Sequence, residues 1–599
     1  MENKANLTSG TIWKRIVIYA IPIFIGGLLQ QLYNVVDAVV VGHLVSNHAL
    51  GAVGSVGPIM VLMVALFMGL SVGSCVVIAN YFGKRDHENL SKAAHTAIVI
   101  SVIIGVFLTI IGITMTPVFL KLIATPEEIY GDAKIYLQTF FAGMIAFSVY
   151  NIGASVLQAV GNTRYPLYFL IVSTVLHIIL DIVFVAVFKM GVMGVALSTV
   201  LSEVVSASLV LITLFNSKKE YKISFKKLKI DRSQMKRIIG LGLPSAIQNS
   251  IVAFSNIFVQ SYINAFGADT VAGFAAEGKI EAFMTLPISA LALSITTFVS
   301  QNLGAGDEKR ARKGVYVGGA ICIGLITSMI VFALSAFHIL CRAFTTDPII
   351  LEHAWVFARI FIPGYIFLAI YNIWAAGKRG AGKVKFTMFV AIGCFVVWRQ
   401  IYLAIITQYT TSVFFVAIGF PIAWCLCATI LTIDYFHKNY ITANNMTRVH
   451  INHLDSANPD FLSFCTKLDD YQNEYVPGRR ESGINSLYNS ENLHDIFLIY
   501  DDKTPVGTAA LIAHDAETCE IIRVFSDKKY RNKLLTEIEN HAKSVGFKKI
   551  IMRTFKTLPD ADYDKLGFQT ANADNFTHVD KFAAAANLAP YRLYFTKDL

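Results

Sequence analysis

IMVLMVALFMGLSVGSCVVIANYFGKRD, residues 59–86, decides how this chain must be read. From Ile59 to Gly83 it carries no charged side chain, and Lys84-Arg85-Asp86 then closes the run with charge. A helix of roughly 20 such residues spans the hydrocarbon core of a bilayer. Similar runs recur from Ile12 to about Phe436, centred near Leu28, Val64, Ile104, Phe147, Val175 and Leu201, then near Ala253, Thr285, Ile326, Phe367, Val396 and Ile422. Twelve spans are predicted. The leading MENKANLTSGTIWKRIVIYAIPIFI shows no small-residue cleavage site, so it is expected to remain as the first of them.

Composition agrees with lipid as the solvent. Of 599 residues, 55% are hydrophobic and 15% charged, and the mean hydropathy is +0.55, too apolar for an ordinary water-soluble chain. The net charge of +10 does not indicate nucleic acid, because the basic residues fall in alternate loops. Lys84, Arg85 and Lys92 follow the second run, Arg164 the fourth, and Lys218 to Arg232 the sixth. Lys309 to Lys313 follow the eighth, and Lys378 to Lys385 the tenth. This bias places those loops and both termini in the cytoplasm of a cell, a bacterial one by expectation, with the chain multi-pass in the plasma membrane. Eight scattered cysteines form no CxxC pair, so neither a zinc site nor a disulfide framework is expected.

The chain also repeats itself. Gly83 and Gly304, Asp86 and Asp307, Thr125 and Thr346, Asn151 and Asn372, and Gly161 and Gly382 are each 221 apart, while Pro22 and Pro244, and Asn34 and Asn256, are 222 apart. Two related bundles follow, residues 1–215 and 236–440, joined by a charged linker at 216–235 that is expected to be solvated. Six crossings per copy relate the bundles by an axis along the membrane normal, with the pathway in the cleft between them. Beyond 441 the composition is that of a soluble domain. Ile496–Ile499, Ala509–His514, Glu520–Val524 and Lys548–Thr554 read as strands and Leu534–Val545 as an amphipathic helix, giving an α/β fold.

Ionisable groups within lipid spans cost at least about 2.5 kcal/mol each and need a partner, a wet cavity or a function. The clearest are Asp37, Asp181, Glu203, Glu277, Lys279, Glu281 and Arg399. His177 and Asp181 share a helix face at i, i+4, and Asp37 lies at a similar depth. Acids held close in a low dielectric do not both ionise, so this trio either carries a proton or cation or is a structural pair beside an interfacial acid. Glu277 and Glu281 are a second i, i+4 pair, read either as a substrate or ion site or as salt-bridged scaffolding. Lys279 either bonds Glu203 or extends toward headgroups, and Arg399 reads as structural. Gln30, Gln31, Asn34 and Asn151 either line the cavity or hydrogen-bond between helices.

These landmarks carry a resemblance. QQLYNVVDAVVVG around Asp37, LQAVGNTRYP, HIILDIVF around Asp181, TTFVSQNLGAGD and PIAW at Trp424 make residues 12–436 similar to the multidrug and toxic compound extrusion family. The resemblance implies export of organic cations or amphipathic drugs by alternating access, driven by proton or sodium entry. It implies further that the acids matching Asp37 and Asp181 bind the coupling cation, with Thr199, Gln30 and Asn151 nearby. The family usually has Asn where this chain has His177. An imidazole carries a proton and an amide does not, so the departure favours proton coupling.

The tail from 447 resembles the GCN5-related N-acetyltransferase family in CEIIRVFSDKKYRNKLLTEIENHAKSVGFKKIIMRT and YDKLGF. That family holds the coenzyme A pyrophosphate with an R-x-x-G-x-G/A loop at a helix N-terminus. Here Arg531-Asn532-Lys533 runs directly into Leu534-Leu535, without glycines. Acetyl-CoA binding and catalysis are therefore not expected, Tyr563 reads as a packing residue, and ligand sensing or partner binding stays open. The sequence thus predicts an all-α polytopic membrane protein of twelve helices with a soluble acetyltransferase-like domain. It is expected to act as a monomeric small-molecule exporter without a cofactor. A membrane-tethered acetyltransferase and a lipid-linked oligosaccharide flippase are the alternatives, the latter disfavoured by the acidic first lobe.

Overall fold

The computed structural model describes residues 6–123, 125–410, 412–437, 449–454, 459–475, 495–501, 504–513, 515–526, 528–555, 569–571 and 592–598, and a few side chains inside these ranges, Asn34 among them, fall outside the description. The chain divides at Asn445/Met446 into two compact units.

In the membrane unit the first bundle comprises α1 (Ile12–Val40), α2 (Asn47–Lys84), α3 (His87–Leu122), α4 (Glu127–Ala142), α5 (Met144–Ala159), α6 (Arg164–Asp181) and α7 (Gly191–Asn216). The second comprises α8 (Arg232–Asn264), α9 (Ala268–Gly304), α10 (Glu308–Cys341), α11 (Pro348–Gly380), α12 (Val384–Ala391), α13 (Arg399–Tyr409) and α14 (Val413–His437). Among the described residues eleven helices are long and apolar enough to cross a membrane, with Val384–Tyr409 counted once. The pair α4–α5, bent by 46°, makes a twelfth if it is one span. Apolar side chains such as Ile110, Val331, Phe332 and Phe389 face outward, a surface suited to hydrocarbon and not to water.

Two of the repeated pairs have a clear structural job. Asp86 and Asp307 cap α3 and α10, their carboxylates accepting from the backbone N–H of Asn89 (3.0 Å) and Arg310 (2.8 Å). Gly83 and Gly304 bring the bundles together reciprocally: a Cβ at Gly83 would overlap the Gln301 carbonyl, and one at Gly304 the Asn80 carbonyl. Around this crossing Ser300 Oγ donates to the Val76 carbonyl (2.7 Å), Ser294 Oγ to that of Ile16 (2.9 Å), and Tyr19 pairs with Thr297 (2.9 Å). These contacts lie toward the end where α1 and α8 begin and α2 and α9 finish. Asp37 lies near the opposite end of α1.

The residue closing α2 breaks the symmetry. Arg85 adopts a left-handed backbone at φ +59°, whereas its counterpart 221 residues on is Gly306 at φ +78°. Only glycine takes that conformation freely; an L-residue forfeits about 1 kcal/mol. The lysines of the linker are exposed, but its backbone does not hang free. Ile223 is fully buried, Ser224 N donates to His95 Nε2 (3.0 Å) and Asp231 N to Thr96 Oγ1 (3.1 Å), so the segment is strapped along α3 before α8 starts at Arg232.

The second unit contains β1 (Val449–Leu454), α15 (Pro459–Tyr475), β2 (Asp495–Asp501), β3 (Thr504–Ala513), β4 (Thr518–Ser526), β5 (Lys549–Phe555), β6 (Gln569–Ala571) and β7 (Arg592–Asp598) in one sheet of order β1-β2-β3-β4-β5-β7-β6. Only β4 and β5 run parallel, joined through the helix Lys528–Val545. That helix starts six residues before the position read from the sequence, because its polar first turns give no apolar signal. Leu534, Leu535, Ile538 and Ala542 press it onto Phe497, Leu511, Ile521 and Ile550 of the sheet. The β4–β5 pairing stops at Ile521 and Met552 although both strands continue, so their C-terminal ends part.

Candidate functional site

Three helices of the first bundle build one buried polar cluster. α1 contributes Asp37, α6 contributes His177 and Asp181 from successive turns of one face, and α7 contributes Ser198 and Thr199. His177 Nδ1 lies 3.5 Å from Asp37 Oδ1 and 3.4 Å from Asp181 Oδ2. On the other edge of the ring, Nε2 lies 3.2 Å from Thr199 Oγ1 and 3.5 Å from Ser198 Oγ. Ser198 also donates a short hydrogen bond to Asp181 Oδ1. Tyr33 packs edge-on against the imidazole, 4.6 Å between centroids. His177 and Asp181 are sealed, at 1% and 0% exposure, while Asp37 keeps 9%. Asp37 Oδ1, His177 Nδ1 and Asp181 Oδ2 converge, yet none of the three makes a conventional hydrogen bond among the described residues. One ligand atom from each of these residues lies within 4.8 Å of the others, and this is a candidate cation-binding set among the described residues.

The repeat places a different cation at the same point of the second bundle. Arg399 stands 222 residues after His177. Its Nη2 donates to Asn256 Oδ1 (2.6 Å) and Ser255 Oγ (3.2 Å), residues 222 beyond Asn34 and Tyr33, and its guanidinium lies 5.1 Å from the Phe420 ring centre. Where the first bundle has Asp37 and Asp181, the second has Val259 and Leu403, both buried. The acids here come from α9 instead. Glu281 is the electrostatic neighbour of Arg399, and Glu277, fully buried, accepts from the Tyr365 hydroxyl at 3.0 Å.

The structure therefore gathers Asp37, His177, Asp181 and Thr199 and leaves the expected substrate residues apart. Glu277 is sealed against Tyr365 and is no wall of a cleft in this conformation. The Asn151 amide donates to the carbonyl of Phe147 in its own helix (2.8 Å), and Asn372 repeats that bond with Leu368 (2.9 Å), so the pair stabilises its helices. Gln30 is exposed on α1, and the Asn34 side chain lies outside the described residues. Lys279 is exposed, and no ion pair joins it to Glu203 among the described residues. Ser198 and Tyr33 were missed. Their only signal was adjacency, to Thr199 and at i+4 to Asp37.

Two matched bundles, with two carboxylates and an imidazole gathered in the first, define a membrane carrier built from parallel repeats. The MatE family model matches residues 22–183 and again 244–406, together more than half of the sequence, and the chain belongs to that family. The "Probable multidrug resistance protein YoeA" of Bacillus subtilis is 25% identical over 430 residues, covering 69% of this chain and 92% of that protein. The "Probable multidrug resistance protein NorM" of Thermotoga maritima is 26% identical, covering 62% and 81%. A solved structure described as "MATE in the straight conformation" superposes with a TM-score of 0.68 at 25% identity, covering 75% of this chain and all of the other.

Residues 464–568 match the Acetyltransferase (GNAT) family model. The parting of β4 and β5 suits that fold, but the residues after β4 do not suit a pyrophosphate. No glycine lies between Ser526 and Lys533, and Arg531 turns back to donate to the Ser526 carbonyl at 3.1 Å. Tyr563 lies outside the described residues.

Proposed function

We propose that the chain is a multidrug exporter of the cell membrane that exchanges an entering proton for an organic cation or amphipathic drug by alternating access. The convergence of Asp37 Oδ1, His177 Nδ1 and Asp181 Oδ2 carries this reading. A proton on Nδ1 is shared between two carboxylates, while Nε2 exchanges its own with the Thr199 hydroxyl. Loading the cluster removes negative charge from a water-poor pocket and ties α1 to α6; unloading leaves two acids facing each other and drives them apart. Hard alkali cations seek oxygen ligands, and an imidazole nitrogen at the centre of the set favours the proton over sodium.

The bundles touch toward the end where α1 begins, and Asp37 and Asp181 lie toward the other. With both termini cytoplasmic, the cluster loads from outside. Gln30 and Glu281 keep the substrate-facing role given them from sequence, and the chain acts as a monomer. The C-terminal domain serves binding or sensing without acetyl transfer, a reading that acetyl-CoA turnover by the purified full chain would overturn.

The test is export of a fluorescent organic cation in inside-out vesicles under separately imposed gradients. Transport driven by protons alone is expected. Transport driven only by sodium would refute the choice of ion, and indifference to both would refute coupling.

A further inference from the structure

At the end of the first bundle where α2 and α7 finish lies a cavity of about 850 Å³ whose lining includes Arg85, Asn162, Tyr165, Thr213, Lys218 and Lys219. Its lining includes three cationic side chains, Arg85, Lys218 and Lys219. The single acid among the lining residues, Glu220, is turned to His87, 3.7 Å from Nδ1. Among the described residues Arg85, Lys218 and Lys219 make no ion pair.

Two departures from the repeat point to what belongs there. Arg85 holds a left-handed backbone that the second bundle assigns to Gly306, and open space surrounds the position where a Gly306 Cβ would stand, so crowding does not dictate the glycine. Holding an arginine in a conformation that glycine takes freely costs backbone energy, and such outliers concentrate at functional sites. The second difference is charge balance. At the corresponding end of the second bundle Lys378 pairs with Asp434 of α14 and lies 4.1 Å from the ring centre of Phe386, the counterpart of Tyr165. There a cation and an acid are built in together, and the first bundle has Leu157 and Thr213 at the matching positions. In the first bundle α7 offers the cavity Ile212, Thr213 and Asn216 instead.

We propose that this cavity binds a phosphate-bearing anion through Arg85, Lys218 and Lys219. A guanidinium fork, two ammonium groups, the Tyr165 hydroxyl and the Asn162 amide are the donor set that phosphate oxygens require, while the Thr213 hydroxyl is given to the Leu209 carbonyl at 2.8 Å. Ile212 and Tyr165, both exposed, offer an apolar flank beside it, as an acyl chain attached to a phosphate would use. A phospholipid headgroup and free phosphate share this chemistry.

The thermal midpoint of the full chain in uncharged detergent is measured with phosphatidylglycerol, phosphatidylcholine or inorganic phosphate added, for the wild type, Arg85→Gly and the double variant Lys218→Gln, Lys219→Gln. Arg85→Gly is expected to raise the midpoint without additive, because glycine suits the backbone, and to weaken the anion response about tenfold. The lysine pair is expected to weaken the response without that gain. A response to phosphatidylglycerol alone assigns a lipid headgroup; an equal response to inorganic phosphate assigns free phosphate. Equal responses to phosphatidylglycerol and phosphatidylcholine, no response to any additive, or an anion response unchanged in both variants overturns the proposal.

Discussion

His177 and Arg399 occupy equivalent points in two bundles built to one plan, and they differ in the property that matters for coupling. An imidazole is a side chain that can take up and give up a proton, and a guanidinium stays protonated. Around His177 the fold keeps two carboxylates; around Arg399 it keeps Val259 and Leu403 in their places and takes an amide and a hydroxyl as partners. Under the proposed function, the first bundle is the half that exchanges protons, and the second holds a fixed cation at the equivalent point.

This contrast can be broken at four points. The largest effect is expected from Asp181→Asn or Asp37→Asn, each lowering export to background in vesicles while membrane expression persists. Next is His177→Arg, which copies the second bundle into the first; a permanent cation between the acids is expected to cut export at least about tenfold. Arg399→Gln is expected to act on stability instead. Losing its hydrogen bonds to Asn256 and Ser255 leaves buried polar groups unpaired at a cost of about 2 kcal/mol, read as a lowered unfolding midpoint, with residual transport still following the proton gradient. Smallest is Tyr365→Phe, which deprives Glu277 of its donor for about 1 kcal/mol and leaves export intact.

Much of this was legible in residues alone, for reasons that differ by level. Span length and the 221-residue recurrence were visible because lipid and duplication impose long-range constraints on composition. The i, i+4 relation of His177 to Asp181 followed from helix geometry. The joining of Asp37 to that pair depends on how α1 packs on α6, and depth alone did not determine it. Ser198 stayed hidden because serine is common in spans and only its proximity to Asp181 gives it meaning. Asn151 was open between lining the cavity and bonding between helices; its amide, like that of Asn372, donates within its own helix, a third arrangement that residue type alone does not distinguish. Glu277 read from sequence either as a site or as scaffolding; Tyr365 donates to one of its carboxylate oxygens, and Oε2 finds no hydrogen-bond partner among the described residues. The burial of Ile223 was masked by the lysines around it.

Proton release on substrate binding tests the central claim most directly. When the purified full chain binds tetraphenylphosphonium in weakly buffered detergent, the account predicts that protons appear in solution, and that Asp37→Asn and Asp181→Asn abolish their release. Undiminished release in both variants, or binding by the wild type with no proton released, would contradict it.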